Sequence, residues 1–385
     1  MGKRVAIVGV GQTHHKSCRR DVNGVELINE AVRRALEDAD LTREDIDAVV
    51  IGNMDHFEGI NYVDTWSVDG AGALGKPIMK VTTGGTTGST VAQAGYYHAA
   101  SGLFDVVLAI GWEKNSESDT TGAITTAFDP VWDRPVFAGA ISGLAIEASL
   151  YMSQYGATEK DAARVAVRDR RHACNNPYAH LRKEITVEEV MESPMLSYPL
   201  KLMDICPRTD GACAVIFANE NRAEKICPRP AWILGAASSH DYTWLGDVDF
   251  TRMGTIEEAA KKLYEQVGIT EPLKQVDVAE LYLPYSFAGL KWIEYIGFCK
   301  PGEGPRLLWD GVTDMDGELP VNPSGGVISS NPIGATGLLR VGEAAWQLMG
   351  KAEGRQVPDA KLALTSGFGG CFWSEMMVLG VRKPQ

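Results

Sequence analysis

Thr82-Thr83-Gly84-Gly85-Thr86-Thr87-Gly88 and Ser329-Ser330-Asn331-Pro332-Ile333-Gly334-Ala335-Thr336-Gly337 are the two stretches on which the reading of this 385-residue chain turns. Each is a run of small residues leading into a helical pattern, about residues 89–101 in one case and 338–349 in the other. Each helix is followed by an apolar strand, Val106-Val107-Leu108-Ala109-Ile110-Gly111 or Leu362-Ala363-Leu364-Thr365-Ser366-Gly367. Glycine and alanine in a helix's first turn let its backbone approach a neighbour closely, which marks helices packed between layers.

Outward from these stretches the correspondence continues. A helical pattern over Leu27–Ala39 leads through residues 41–47 to the strand Ala48-Val49-Val50-Ile51-Gly52. In the second half, Ile256–Gly268 leads in the same way to a strand opening at Val276. A unit that recurs once per half predicts a duplicated α/β fold. With one small-residue helix per half buried between two sheets, the expected architecture is a five-layer αβαβα sandwich in which both helix N-termini face a shared cavity. The halves are assigned to residues 1–228 and 229–385, with an inserted loop region at about 114–197.

That insertion holds the one concentrated basic stretch, Arg164, Arg168, Arg170, Arg171, His172, Arg182 and Lys183, in a chain of net charge −13. It reads either as a solvated helix face or as a phosphate site, since guanidinium groups pair bidentately with phosphate oxygens. The acidic balance argues against nucleic acid as the main partner. No stretch of 18 apolar residues suggests a membrane span, and the chain runs from Met1-Gly2-Lys3-Arg4 straight into an apolar strand, so a cytoplasmic location is expected. Cysteines at 18, 174, 206, 213, 227, 299 and 371 form no CxxC pair, which argues against a disulfide framework or a metal site in this chain. Cys206, Cys213 and Cys299 read as structural. Gly9-Val10-Gly11-Gln12-Thr13-His14 lacks the third glycine and the helix of a dinucleotide fingerprint.

Further stretches carry a family resemblance: Ala99–Leu108, Pro199–Asp204, Thr209–Ala214, Gly297-Phe298-Cys299, Asn322-Pro323-Ser324-Gly325-Gly326 and Gly334-Ala335-Thr336-Gly337. In order and spacing the chain resembles thiolases of the sterol-carrier-type and archaeal branch from end to end. The resemblance implies an acyl-CoA thioester held between the halves, with coenzyme A as substrate or product and no metal in this chain. It also implies a homodimer, paired near Lys80-Val81-Thr82, and a small partner protein with a zinc ribbon and an OB-fold.

The sequence departs from that family where the chemistry lies. Gly85 stands where the resemblance implies a nucleophilic cysteine, and Ser330-Asn331-Pro332 replaces Gly-His-Pro. Tyr282-Leu283-Pro284-Tyr285 replaces the oxyanion motif, and the C-terminal loop reads Ser366-Gly367-Phe368-Gly369-Gly370. Transfer through a covalent acyl-cysteine at position 85 is therefore not expected. What remains is an oxyanion hole from the backbone N–H groups of Gly85 and Gly370, and a neutral amide donor at Asn331. Acid–base work falls to Tyr282 or Tyr285, unless both are packing residues, and Cys371 is either a replacement nucleophile or filler. Two reactions fit. The first, favoured by the intact Asn322–Gly326 and Gly334–Gly337 motifs, is CoA-dependent cleavage of a β-ketoacyl-CoA, including a bulky one such as benzoylsuccinyl-CoA; the alternative, which fits the missing cysteine, is retro-aldol cleavage of a β-hydroxyacyl-CoA. A silent acyl-CoA-binding subunit is the third reading. For CoA contacts the candidates are Arg168, Arg171, Arg182 and Ser324, and the segment holding Ser239 and Trp244.

Overall fold

The structure, a computed structural model, describes residues 2–60, 62–136, 139–242, 244–369 and 373–384. Its strands are β1 (Val5–Gln12), β2 (Ala48–Gly52), β3 (Ile78–Val81), β4 (Val106–Lys114), β5 (Met195–Ser197), β6 (Leu200–Lys201), β7 (Asp210–Asn219), β8 (Ala231–His240), β9 (Val278–Glu280), β10 (Leu362–Gly369) and β11 (Trp373–Gly380). The longer helices are α1 (Gly24–Ala39), α2 (Thr87–Ala100), α3 (Ala140–Tyr155), α4 (Glu159–Ala173), α5 (Gly254–Val267), α6 (Ala288–Tyr295) and α7 (Ile333–Met349).

The strand order β3-β2-β4-β7-β1-β8-β11-β10-β9 reads almost as a palindrome about the β1–β8 pair. On one side β1 pairs antiparallel with β7, β7 antiparallel with β4, and β4 parallel with β2. On the other, β8 pairs antiparallel with β11, β11 antiparallel with β10, and β10 parallel with β9. The duplication expected from the sequence is therefore present strand for strand, and β3 extends the first half alone. Where two separate sheets were expected, short antiparallel bonding of Ala6 and Ile7 to Trp232 and Ala231 joins the halves edge to edge.

Local sequence sets the outer helices. Asn23 caps α1, its side chain accepting from the Glu26 N–H while the Glu26 carboxylate accepts from the Asn23 N–H. Thr158 and Asp161 do the same for α4. The inner helices are set by packing. All 17 residues of α7 are buried, and it lies against α2, β4 and β7 on one side and β10 and β9 on the other. α2 and α7 cross through backbone contact. A Cβ at Gly88 would lie 2.7 Å from the Gly337 nitrogen, and one at Gly337 only 2.3 Å from the Ser89 nitrogen. The small residues quoted at the outset are what let the two helices start beside each other.

Residues 140–201 hold α3, α4 and the β5–β6 hairpin and pack on the second half, with Ala162, Val165 and Ala166 of α4 in one core with Leu290, Trp292 and Ile293 of α6. Among the described residues no helix is long and apolar enough to cross a membrane.

Candidate functional site

The mouth of α2 is a turn of glycines and threonines. Gly84 takes φ +63°, a left-handed conformation that favours glycine. The Thr87 hydroxyl donates to the Gly84 carbonyl (2.6 Å) and accepts from the Thr83 N–H (3.0 Å), which holds the half-buried Gly85 at the opening. The end of β10 closes on this turn: a Cβ on Gly369 would fall 2.8 Å from the Thr86 nitrogen and 3.2 Å from the Gly85 nitrogen. Gly370 and Cys371 lie outside the described residues.

The mouth of α7 is built differently. Asn331 is buried, with its side-chain oxygen accepting from the Thr336 hydroxyl (2.8 Å), which fixes which way the amide faces. Its Nδ2 then donates to Cys206 Sγ at 3.1 Å, and its backbone N–H donates to the Thr209 hydroxyl at 3.2 Å. One Nδ2 proton remains for a ligand. In the helix's first turn, the Gly334 N–H donates to the Glu113 carboxyl (2.9 Å), which also accepts from the Asn53 amide and the Met54 N–H. Burial and the nearby Glu58 charge raise the Glu113 acid well above its usual range. Ile333 packs with Met54, Phe57 and Ala123 as an apolar wall beside Asn331.

Residues 204–206 and 284–286 pair across the chain and join the mouths. The Cys206 N–H donates to the Pro284 carbonyl (3.0 Å), and the Ser286 hydroxyl to Asp204 (2.6 Å). This brings Cys206 to Asn331 and within charge-interaction range of Tyr282, whose N–H donates to the Ser366 hydroxyl on β10 (3.0 Å). An open ring results, running from Gly85 to Gly369 and Ser366, and on to Tyr282, Cys206 and Asn331. Desolvation pushes the Cys206 thiol up to about 11, and burial raises the Tyr282 phenol above its usual value, so both are neutral near pH 7. Tyr285 turns elsewhere: fully buried, it stands edge-on to Trp292 with ring centres 5.8 Å apart and lies beside Glu147. Of the two tyrosines named from the sequence, Tyr282 is the one near Cys206, the partner of Asn331.

The CoA candidates separate by burial. Arg168 is fully buried, its guanidinium bonded to Asp169 (2.7 Å) and the Thr313 hydroxyl (3.0 Å). Ser324 is also buried, donating to Glu280 (2.8 Å) and accepting from Arg340 (2.6 Å). Arg171 and Arg182 are exposed, the former paired with Asp314 at 2.9 Å. Ser239 is half-buried on β8, and the exposed Trp244 meets Trp132 edge-on at 6.4 Å.

Sequence reasoning passed over three contributors. Cys206, read as structural, is at the Asn331 amide. Thr336 sets that amide's orientation. Glu375, on β11, meets Thr90 of α2 with both carboxyl oxygens at 2.9 Å. A signal for Glu375 was available, because a carboxylate amid Met376-Met377-Val378-Leu379 is unusual for a buried strand.

Comparison with known proteins follows this geometry. Residues 5–221 match the family described as thiolase, N-terminal domain, and residues 236–381 match the thiolase C-terminal domain-like family. An acetyl-CoA acetyltransferase of Methanothermobacter thermautotrophicus is 35% identical, the match covering 95% of this chain and 96% of that protein. The benzoylsuccinyl-CoA thiolase subunit BbsB of Thauera aromatica is 32% identical over 96% of this chain and 95% of its own length. Among solved structures, the Ltp2-ChsH2(DUF35) aldolase superposes with a TM-score of 0.86 at 28% identity, covering 100% of this chain and 99% of that one.

Proposed function

The chain belongs to the thiolase family, and on that premise we propose that it cleaves or forms a C–C bond of a CoA thioester by retro-aldol chemistry on a β-hydroxyacyl-CoA, without an acyl-cysteine intermediate. One observation carries this reading: the two helix mouths present Gly85 and Asn331, a backbone turn and a fixed amide donor, with neither thiol nor imidazole at either position. Retro-aldol cleavage needs no nucleophile. The β-hydroxyl loses its proton, the Cα–Cβ bond breaks, and its electron pair forms the thioester enolate, which is then protonated at Cα. The products are a carbonyl compound and a shortened acyl-CoA.

Each residue of the ring has a part. The free N–H of the Asn331 amide meets the enolate oxygen, a preorganised donor aimed at developing charge. Tyr282, kept neutral, donates to the oxygen on Cβ. The wall of Met54, Phe57 and Ile333 takes an apolar acyl part. We assign the CoA phosphates to the exposed Arg171 and Arg182, with Ser239 and Trp244 along the nucleotide arm. A small partner subunit completes the enzyme in this reading, which the names of the Ltp2-ChsH2(DUF35) aldolase and of the BbsB subunit support.

CoA-dependent cleavage of a β-ketoacyl-CoA is the second reading, favoured by the full-length likeness to the benzoylsuccinyl-CoA thiolase subunit. Incubation with β-hydroxyacyl-CoA and β-ketoacyl-CoA, each with and without free CoA and the candidate partner, separates them by mass spectrometry of the products. Cleavage of the hydroxy compound without CoA is expected. Cleavage confined to the keto compound plus CoA gives the second reading, and no cleavage at all marks a binding subunit. Undiminished turnover in Cys371→Ala rules out a covalent route through that thiol.

A further inference from the structure

The ring around Asn331 holds donors but no base. Cys206 and Tyr282 are both neutral near pH 7, and the Asn331 amide neither gives up nor takes up a proton there. One turn along α2 from the Gly85 opening stands a carboxyl group for which the ring has no use. Glu375 is 2% exposed, and the residues opposite it on the neighbouring strands are Gly367 of β10 and Ser238 of β8. Both its oxygens lie 2.9 Å from Thr90 Oγ1, Thr90 Oγ1 lies 2.7 Å from Thr83 Oγ1, and Thr86 Oγ1 lies 3.1 Å from Thr83 Oγ1. Thr83 and Thr86 bracket Gly84-Gly85. A continuous file of hydroxyls thus runs from a buried acid to the site's opening.

Resting on the retro-aldol reading, we propose that Glu375 is the proton reservoir of this site, exchanging one proton with the bound thioester through Thr90 and Thr83. The transfer balances. The ligand's β-hydroxyl gives its proton to Thr83 Oγ1, the Thr83 proton passes to Thr90, and the Thr90 proton passes to the Glu375 carboxylate. The Cα–Cβ pair becomes the enolate, and the same file run backwards delivers the proton to Cα. A hydroxyl both donates and accepts, so the file works in either direction.

Burial supports the role by pushing the Glu375 acid up from 4.5 to about 8, where both forms are populated near neutrality. The ionisable group facing it is Tyr97 on α2, whose own phenol is raised by burial first and then by charges that include Glu375. Thr90, Gln93 and Ser89, which packs against Gly367 opposite Glu375, are polar residues on that stretch of α2, and Ser374 adjoins Glu375 on β11. A purely structural role accounts poorly for a carboxyl group in an apolar strand with a neutral hydroxyl as its partner.

The test uses the isosteric pair E375Q and T90V, with T90S as the conservative rescue. The readouts are pH–rate profiles of β-hydroxyacyl-CoA cleavage and exchange of acetyl-CoA α-protons in D2O. Wild-type cleavage is expected to rise with pH to a plateau above about 8. E375Q and T90V lower kcat by roughly 10²–10⁴-fold with KM little changed and erase that limb, while T90S recovers most of the rate. Wild-type rates and an unchanged profile in E375Q overturn the proposal, as does a slow E375Q beside a normal T90V. A wild-type protein that cleaves no β-hydroxyacyl-CoA yet exchanges α-protons in a Glu375-dependent way sinks the retro-aldol reading and leaves the relay standing.

Discussion

The mouths of α2 and α7 occupy equivalent places in a duplicated fold and have been furnished in opposite ways. At α2 the opening is half-buried and made of glycine and hydroxyl groups, backed by an acid raised to about 8. At α7 the opening is buried, Asn331 being held by Thr336, Thr209 and Cys206, with Glu113 on the first turn. Hydroxyls rotate, so one mouth can pass protons. The other is preorganised, so it can hold charge where it develops. A repeat conserves the frame because packing demands it, and the polar loads on that frame are free to diverge.

The comparison breaks most violently where the helices touch. Gly337→Ala sets a methyl 2.2 Å from the Ser89 hydroxyl and 2.3 Å from the Ser89 backbone nitrogen, so turning the side chain aside does not relieve the clash. Overpacking of roughly 1–3 kcal/mol is a lower bound for such a clash, and a denaturant midpoint equal to wild type contradicts the crossing geometry. Next in size, Asn331→Ala is expected to lower kcat by about 10²–10³ with KM nearly unchanged, as loss of one oxyanion donor does. An effect on KM alone would assign the amide to ground-state binding.

A pH series then sharpens the difference between the mouths. Because the Glu375 acid is raised from 4.5 to about 8, the native chain keeps a proton that the unfolded chain releases. Stability contributed at this position is fullest below pH 4.5 and falls as pH rises through 8. E375Q is therefore expected to gain Tm relative to wild type between pH 5 and 9, whereas C206A shifts Tm by a constant amount between pH 5 and 8, where the Cys206 thiol stays protonated both in the native chain (about 11) and in the unfolded one (9.0). A pH-independent E375Q difference would place Glu375 in solvent contact. The smallest effect belongs to Thr336→Val, which frees the Asn331 amide to turn: about tenfold in kcat, with the pH profile unmoved.

Legibility in the sequence followed contact range. Gly88 and Gly337 were readable because close backbone approach leaves no alternative residue, and the strand–helix periods around them are local. Gly85, Asn331 and Tyr282 were readable as departures from a family pattern. Tyr285 was not separable from Tyr282, since both follow the end of β9 at Glu280, where alternation no longer tells in from out. Arg168 sits three residues after Val165 on the inward face of α4, yet its place in a basic run made it look like a phosphate ligand. Cys206 and Glu375 depended on partners 125 and 285 residues away in the chain.

By itself, then, the sequence determined the duplicated α/β frame, the two buried helices and the identity of Gly85 and Asn331 at their mouths, because periodicity, glycine and residue identity act within a few positions. The tertiary structure alone decided which tyrosine lies near Cys206, which arginines are already paired, that a thiol and a threonine hold the amide, and that a buried glutamate ends a file of hydroxyls. Those facts depend on hydrogen bonds between strands and helices far apart in the chain, and only the folded packing sets their distances.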